Sequence, residues 1–175
     1  AAATGMGGIG KTQLASEFVH RYGYFFLGGV FWLSFADADS VEAEIAACGQ
    51  YLNIPNYREM KVPDLVAHVQ QCWQEPTPRL LVFDNCEDED LLLKYRPSSG
   101  GSRVLVTSRR QWWDSSIGLY ELRLDELPRE QSVGLLRKFR PDLSSDDPDL
   151  NMLAATLGDL PLALHVAGSY LKRYE

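Results

Sequence analysis

"GMGGIGKTQ", residues 5–13, is the stretch on which the fold turns. Gly5, Gly10, Lys11 and Thr12 fit the pattern G-x-x-x-x-G-K-[ST], a glycine-rich turn that opens a helix. Glycine permits the curled backbone that aims successive N–H groups inward, here those of Gly7, Gly8, Ile9 and Gly10, at phosphate oxygens. Lys11 can reach the β and γ phosphates as a point charge. The Thr12 hydroxyl can ligate Mg²⁺, and Gln13 completes the candidate nucleotide contacts at the helix start. The positive end of that helix favours an anion as well. A merely flexible glycine loop would not need the Lys-Thr pair or the amphipathic helix that follows.

Outward from the loop, apolar runs and helical periods alternate. Residues 1–4 read as the remnant of a strand. Residues 11–22 read as a helix with Leu14, Ala15, Phe18, Val19 and Tyr22 on one face. "GVFWLSF", 29–35, "RLLVFDN", 79–85, and "RVLVTSR", 103–109, are apolar enough for strands buried on both faces. Asp39 or Ser40 can cap a helix carrying Val41, Ile45, Cys48 and Leu52. Pro63 sits where a first helical turn tolerates proline, ahead of Leu65, Val66, Val69, Cys72 and Trp73. A short acidic-started helix runs to about Tyr95. "LYELRL", 119–124, alternates like an edge strand. Beyond Leu127 the pattern is helical throughout, over about 128–140, 147–157 and 161–174. The expected fold is therefore α/β, a parallel sheet with helices on both faces followed by a small all-helical subdomain. The expected division is 1–125, with its first strand truncated, and 126–175.

Composition narrows the function. The chain has 175 residues, 45% of them hydrophobic, enough for one sizeable core with a small appendage. A formal net charge of -7 argues against nucleic-acid or anionic-membrane partners, which need clustered Lys and Arg. Three cysteines without a CxxC spacing suit structural thiols in a reducing, cytoplasmic setting. No apolar run reaches membrane-spanning length. The abrupt start beside the loop suggests a piece of a longer protein.

A phosphate loop needs a carboxylate at another strand tip to hold the metal's hydration shell. "LLVFDN" offers Asp84, at the carboxyl end of a buried strand, where parallel-sheet sites form. Thr12 and Asp84 are the expected Mg²⁺ residues. Asn85 follows where a fast ATPase often has a second carboxylate; an amide cannot draw a proton from water at neutral pH. Glu87 could substitute, but "EDED", 87–90, reads more simply as a solvated helix start, favoured by the helix dipole. Slow hydrolysis is expected. Arg109, at the tip of the "VLVTSR" strand, can fork onto a γ phosphate and report its presence. Lys11, Asp84 and Arg109 are thus the candidate catalytic set. Trp112 and Trp113 read as packing or interface residues. The N-K-x-D element of GTPases is missing, and no arginine-bearing kinase lid is evident.

The glycine loop, "LLVFDN", "GSRVLVTSRR", "LDELPREQSVGLLRKF" at 124–139 and "LGDLPLAL" at 157–164 together resemble the NB-ARC group of STAND nucleotide switches. That group includes plant disease-resistance receptors, apoptosome scaffolds and bacterial regulators. The resemblance covers nearly the whole chain. It implies a P-loop NTPase sheet with the arginine-tipped strand between the loop strand and the Asp84 strand. It implies an ARC1-like helical subdomain and an adenine nucleotide gripped between the two. Pro161 and Leu162 would lie at the adenine end, with His165 one turn on, near the ribose or a phosphate. It also implies an ADP-held resting state, an ATP-bound active state, self-association of the full-length parent, and sensor and effector domains elsewhere. The family usually has Asp where Asn85 stands, and its upstream adenine-seating residues and winged-helix histidine have no counterpart here. The alternative is a working ATPase of related fold using Glu87 as base.

Overall fold

In the computed structural model, which describes residues 1–173, each expected apolar run contributes a strand. These are β1 (Ala2–Thr4), β2 (Val30–Ser34), β3 (Leu80–Asp84), β4 (Arg103–Ser108) and β5 (Glu121–Arg123). They form one sheet in the order β2-β3-β4-β1-β5. The pairs β1–β4, β2–β3 and β3–β4 are parallel, with Ala2 opposite Val106, Leu33 opposite Phe83 and Leu81 opposite Val104. β4 lies between β1 and β3, as the family resemblance implied. Parallel pairing in this order brings the carboxyl ends of β1, β3 and β4 to one edge, and every functional side chain of the sheet follows from that.

Four helices belong to the sheet: α1 (Lys11–Tyr22), α2 (Val41–Cys48), α3 (Val62–Trp73) and α4 (Glu89–Tyr95). Alternation along β3 divides the core. Leu81 and Phe83 join Leu33, Val41, Ile45, Val69 and Trp73, all almost fully buried, on the α2–α3 side. Leu80 and Val82 meet Ala15 of α1 on the other. Phe35 stacks on Phe83 with ring centroids 4.3 Å apart. Both faces of β3 are thus filled, which is why its sequence shows no alternation.

Three local expectations are corrected. Ser40 occupies the position before α2 but makes no capping bond; its hydroxyl donates to the Asp37 carbonyl, in a turn where the Asp37 carboxylate accepts from the Asp39 amide. Of the α1 stripe only Ala15 is buried. Leu14, Phe18 and Tyr22 remain 38%, 37% and 46% exposed, because the helix meets the sheet along its smallest side chain. The edge strand shortens to Glu121–Arg123, all exposed, and a short charged edge resists pairing with other chains.

The described residues divide into two compact units. One comprises residues 1–4 and 11–122, with the sheet and α1–α4. The other comprises residues 5–10 and the chain from Arg123 onward. It contains α5 (Arg129–Arg137), α6 (Pro148–Thr156) and α7 (Pro161–Arg173) around Val133, Leu136, Leu150, Ala154 and Leu164. The glycine loop therefore groups with the helices. Tyr174, expected to extend the last helix, lies outside the described residues. Among the described residues no helix is long and apolar enough to cross a membrane. Burial pushes the thiols of Cys48 and Cys86 up to about 12, which suits structural thiols.

Gly168 shows how tightly the helical unit is packed. A Cβ there would stand 2.3 Å from Cδ2 of Phe139, so the glycine lets α7 approach the end of α5. Removing a helical glycine usually gains about 1 kcal/mol. Overpacking costs about 1–3 kcal/mol and wins here, more so with a β-branched side chain. Gly168→Val should lower stability by roughly 1–3 kcal/mol in urea unfolding, with an unchanged m-value.

Candidate functional site

In the sheet unit the site is built from strand tips and the first turn of α1. Lys11 opens α1 and is 8% exposed. Burial holds its pKa below the usual lysine value, and the Arg109 guanidinium depresses it further; Glu87 and Asp84 oppose the shift. The Thr12 hydroxyl donates to Oδ1 of Asp84 at 2.9 Å. The Thr107 hydroxyl, from β4, donates to the same oxygen and accepts from the Asn85 amide at 2.9 Å. Asn85 has φ 60°, a left-handed conformation that asparagine tolerates well. The chain thus turns sharply after Asp84, carrying Asn85 past the strand tip while Cys86 N–H bonds the Thr107 carbonyl at 2.9 Å.

A hydroxyl beside a carboxylate is a hard-oxygen donor set. Mg²⁺ characteristically uses one or two such protein ligands together with phosphate oxygens and water. Among the described residues no group of three or more His, Cys, Asp or Glu is placed to hold a metal. Thr12 and Asp84 could supply such a sparser donor set.

Glu87 differs from expectation. The start of α4 is capped by Asp88, whose carboxylate accepts from the amides of Asp90 and Leu91 at 2.7 and 3.2 Å. Glu87 instead accepts from Ser108 Oγ at 3.1 Å and from the Arg109 amide at 2.8 Å. It braces the tip of β4. The Arg109 side chain is exposed at that tip. Arg110 is structural: it pairs with Glu89 at 2.9 Å, donates to the Trp112 carbonyl and lies over the Trp113 ring. Trp113 is buried and Trp112 is 81% exposed. Gln13 is exposed on α1.

In the helical unit, the loop's backbone is set by three glycines with φ of 141° (Gly5), 79° (Gly8) and 100° (Gly10). At Gly5 a Cβ would also stand 2.6 Å from the Leu124 carbonyl oxygen. The Gly8 carbonyl accepts from the Leu162 amide at 3.2 Å, and a Cβ at Gly8 would meet the Leu162 side chain at 3.5 Å. Pro161 and Leu162, expected at the nucleotide, are therefore brought to the loop by the first turn of α7. His165 is turned to a different neighbour, standing edge-on to Phe139 with centroids 5.1 Å apart.

The turn before α7 contains Gly158 and Asp159, with φ of 63° and 55°. Arg129 forks onto Asp159, Nε to Oδ1 at 2.8 Å and Nη2 to Oδ2 at 2.6 Å, and also donates to the Asn151 carbonyl. This fork, with a hydrogen bond from Ser132, brings the Asp159 carboxyl down to about 2. Neither this pair nor Thr107 was singled out from the sequence. The "TSR" run gave a cue for Thr107, since its hydroxyl precedes Arg109 by one alternation of the strand.

A glycine loop leading into a lysine-headed helix, with an aspartate at a strand tip of a parallel sheet, is the arrangement of the P-loop NTPase fold. No protein-family model matches the chain. It is 27% identical over 176 residues to the Regulatory protein AfsR of Streptomyces coelicolor, an alignment covering 97% of this chain and 18% of that protein. It is 25% identical to a nucleotide-binding leucine-rich repeat (NLR)-like protein of Hyaloscypha variabilis, covering 98% of this chain and 20% of that one. The chain thus spans about a fifth of the length of these relatives. Among solved structures it is similar in fold to a STAND (Signal Transduction ATPase with Numerous Domains) protein with a tetratricopeptide repeat sensor from Pyrococcus horikoshii, at TM-score 0.60 and 16% identity, covering 93% of this chain and 26% of that one. It also matches Cdc6p from Pyrobaculum aerophilum, at TM-score 0.71 and 17% identity, covering 99% and 55%. The chain is thus similar in sequence to a regulatory protein and an NLR-like protein, and shares its fold with a STAND protein and with Cdc6p.

Asp159 gives the helical unit a defined pH response. Its carboxyl is depressed in the folded state, so the pair's contribution is fully present above the ordinary aspartate range and is lost as pH falls toward about 2. Asp159→Asn removes that contribution. The stability difference between the wild type and this variant should shrink steadily below pH ~4 in denaturant unfolding.

Proposed function

We propose that this chain is the adenine-nucleotide-binding switch module of a longer STAND/NLR-like signalling protein, holding ADP at rest and ATP when active, with slow hydrolysis. The observation that carries this reading is the Thr12–Asp84 bond beside the buried, cation-flanked Lys11. The residues that would hold Mg²⁺ and those that would hold phosphate share one helix turn and one strand tip. Mg²⁺, when bound, would neutralise phosphate charge and order the β and γ oxygens. The loop's amides and Lys11 would bind the phosphates, with Thr12 and Asp84 as metal ligands. Pro161 and Leu162, at the start of α7, would cover the adenine end. Arg109 would read the γ phosphate, giving ATP and ADP the differential affinity that a switch requires.

Slow turnover follows from Asn85, whose amide is no proton acceptor, and from Glu87, whose oxygens are engaged by Ser108 and Arg109. That engagement disfavours the alternative, an ATPase with Glu87 as base. The name of one relative, a regulatory protein, and the sensor named in a structural neighbour support a regulatory parent with its sensor elsewhere; self-association on activation and a separate effector domain belong to the same proposal.

The test is calorimetry with ADP and ATP, with and without Mg²⁺, alongside mass spectrometry of nucleotide released from denatured protein. Lys11→Ala should weaken binding by at least about tenfold, the loss expected for a desolvated charge-assisted contact. Asp84→Ala should remove the Mg²⁺ dependence, and multiple-turnover hydrolysis should be far below about 1 s⁻¹. Released GDP, or rapid turnover abolished by Glu87→Gln, would overturn the reading.

A further inference from the structure

The glycine loop takes a backbone shape that glycine permits but does not itself select. Three of its six residues have positive φ, and its internal Ile9 N–H to Met6 carbonyl bond is long, at 3.4 Å. A Gly-rich segment loses much entropy on ordering, so contacts from outside the loop must help set its conformation. One such contact is the Leu162 amide on the Gly8 carbonyl. That amide belongs to the first turn of α7, where N–H groups have no partner within the helix. The direction in which it points is set by the turn before it.

That turn is unusual because Asp159 stands at φ 55°, where glycine would sit without strain. The aspartate side chain compensates by anchoring the turn. Its two oxygens take the two arms of the Arg129 guanidinium, at the start of α5. The Asp159 carbonyl accepts from the Leu127 amide at 3.2 Å, and its amide donates to the Ala154 carbonyl at 3.0 Å. Backbone and side chain of one residue thus tie α5, α6 and the start of α7 together. Glycine could supply the dihedral but not the side-chain anchor.

We infer that Arg129 and Asp159 are positioning residues for the phosphate loop: their forked pair fixes the turn that sets the Leu162 amide on the Gly8 carbonyl. The role rests on the proposed nucleotide site for its functional meaning, though its structural half can be read without nucleotide. Neither residue touches the loop; both act through the start of α7.

Hydrogen exchange with mass spectrometry on the unliganded protein, paired with ADP calorimetry, tests this. Arg129→Gln removes the fork. Asp159→Gly removes it while easing the backbone, so strain cannot account for its effect. Both should speed exchange of the 5–10 segment and weaken ADP binding about two- to fivefold, the scale of an exposed bidentate pair. Exchange in β3 should not change. Leu136→Ala, in the core of the same unit, is the control for general destabilisation. Unchanged loop exchange in the two variants, or an equal rise in Leu136→Ala, overturns the inference while leaving nucleotide binding intact. Faster loop exchange in a protein that binds no ADP upholds the positioning role and overturns the nucleotide reading instead.

Discussion

One oxygen atom organises the chemistry of the sheet unit. Oδ1 of Asp84 receives hydroxyl hydrogens from Thr12 at the head of α1 and Thr107 near the end of β4. Those residues come from three separate parts of the chain, and they meet only because β3 and β4 run parallel with Leu81 opposite Val104 and Phe83 opposite Val106. A shift of one residue would turn Thr107 to the opposite face of the sheet. It would also leave Asp84 without that donor and the Asn85 amide without its acceptor. The buried apolar run of β3 therefore serves the site by fixing register, and the carboxylate at its tip inherits that accuracy.

Much of this was legible in the sequence, for identifiable reasons. Runs such as Leu80–Phe83 have no alternation because both faces are covered, and the glycine-lysine-threonine order leaves little freedom in the turn that carries it. The start of α1 at Lys11 and the tip position of Asp84 follow from patterns local to one segment, while the expected role of Pro161 and Leu162 came only from the family resemblance. What escaped depended on partners distant in the chain. Glu87 reads as part of an acidic helix start until β4 places Ser108 and the Arg109 amide against it. The solvent exposure of Leu14 and Phe18 could not be told from periodicity, which gives a helix an apolar face without saying how much of it meets the sheet. Arg129 and Asp159 are thirty residues apart, and nothing in either neighbourhood announces a fork.

The division of the chain separates two tasks. The sheet unit gathers charge: a cationic pair, a carboxylate and hydroxyls on rigid strand tips and a helix turn. The helical unit governs shape, through a loop whose glycines accept almost any backbone and a helix start that selects one. In the proposed reading, Asn85 in place of a proton-accepting carboxylate and Glu87 engaged by Ser108 Oγ and the Arg109 amide both favour holding a ligand over turning it over.

The depressed pKa of Lys11 carries a further thermodynamic consequence. Burial and the neighbouring Arg109 both make its ammonium form costly. An anion settling beside it reverses that bias and raises the amine's affinity for hydrogen ions. A bound anion would therefore couple association to proton uptake at any pH where the free amine is partly unprotonated, and the apparent heat would there depend on the ionisation enthalpy of the buffer.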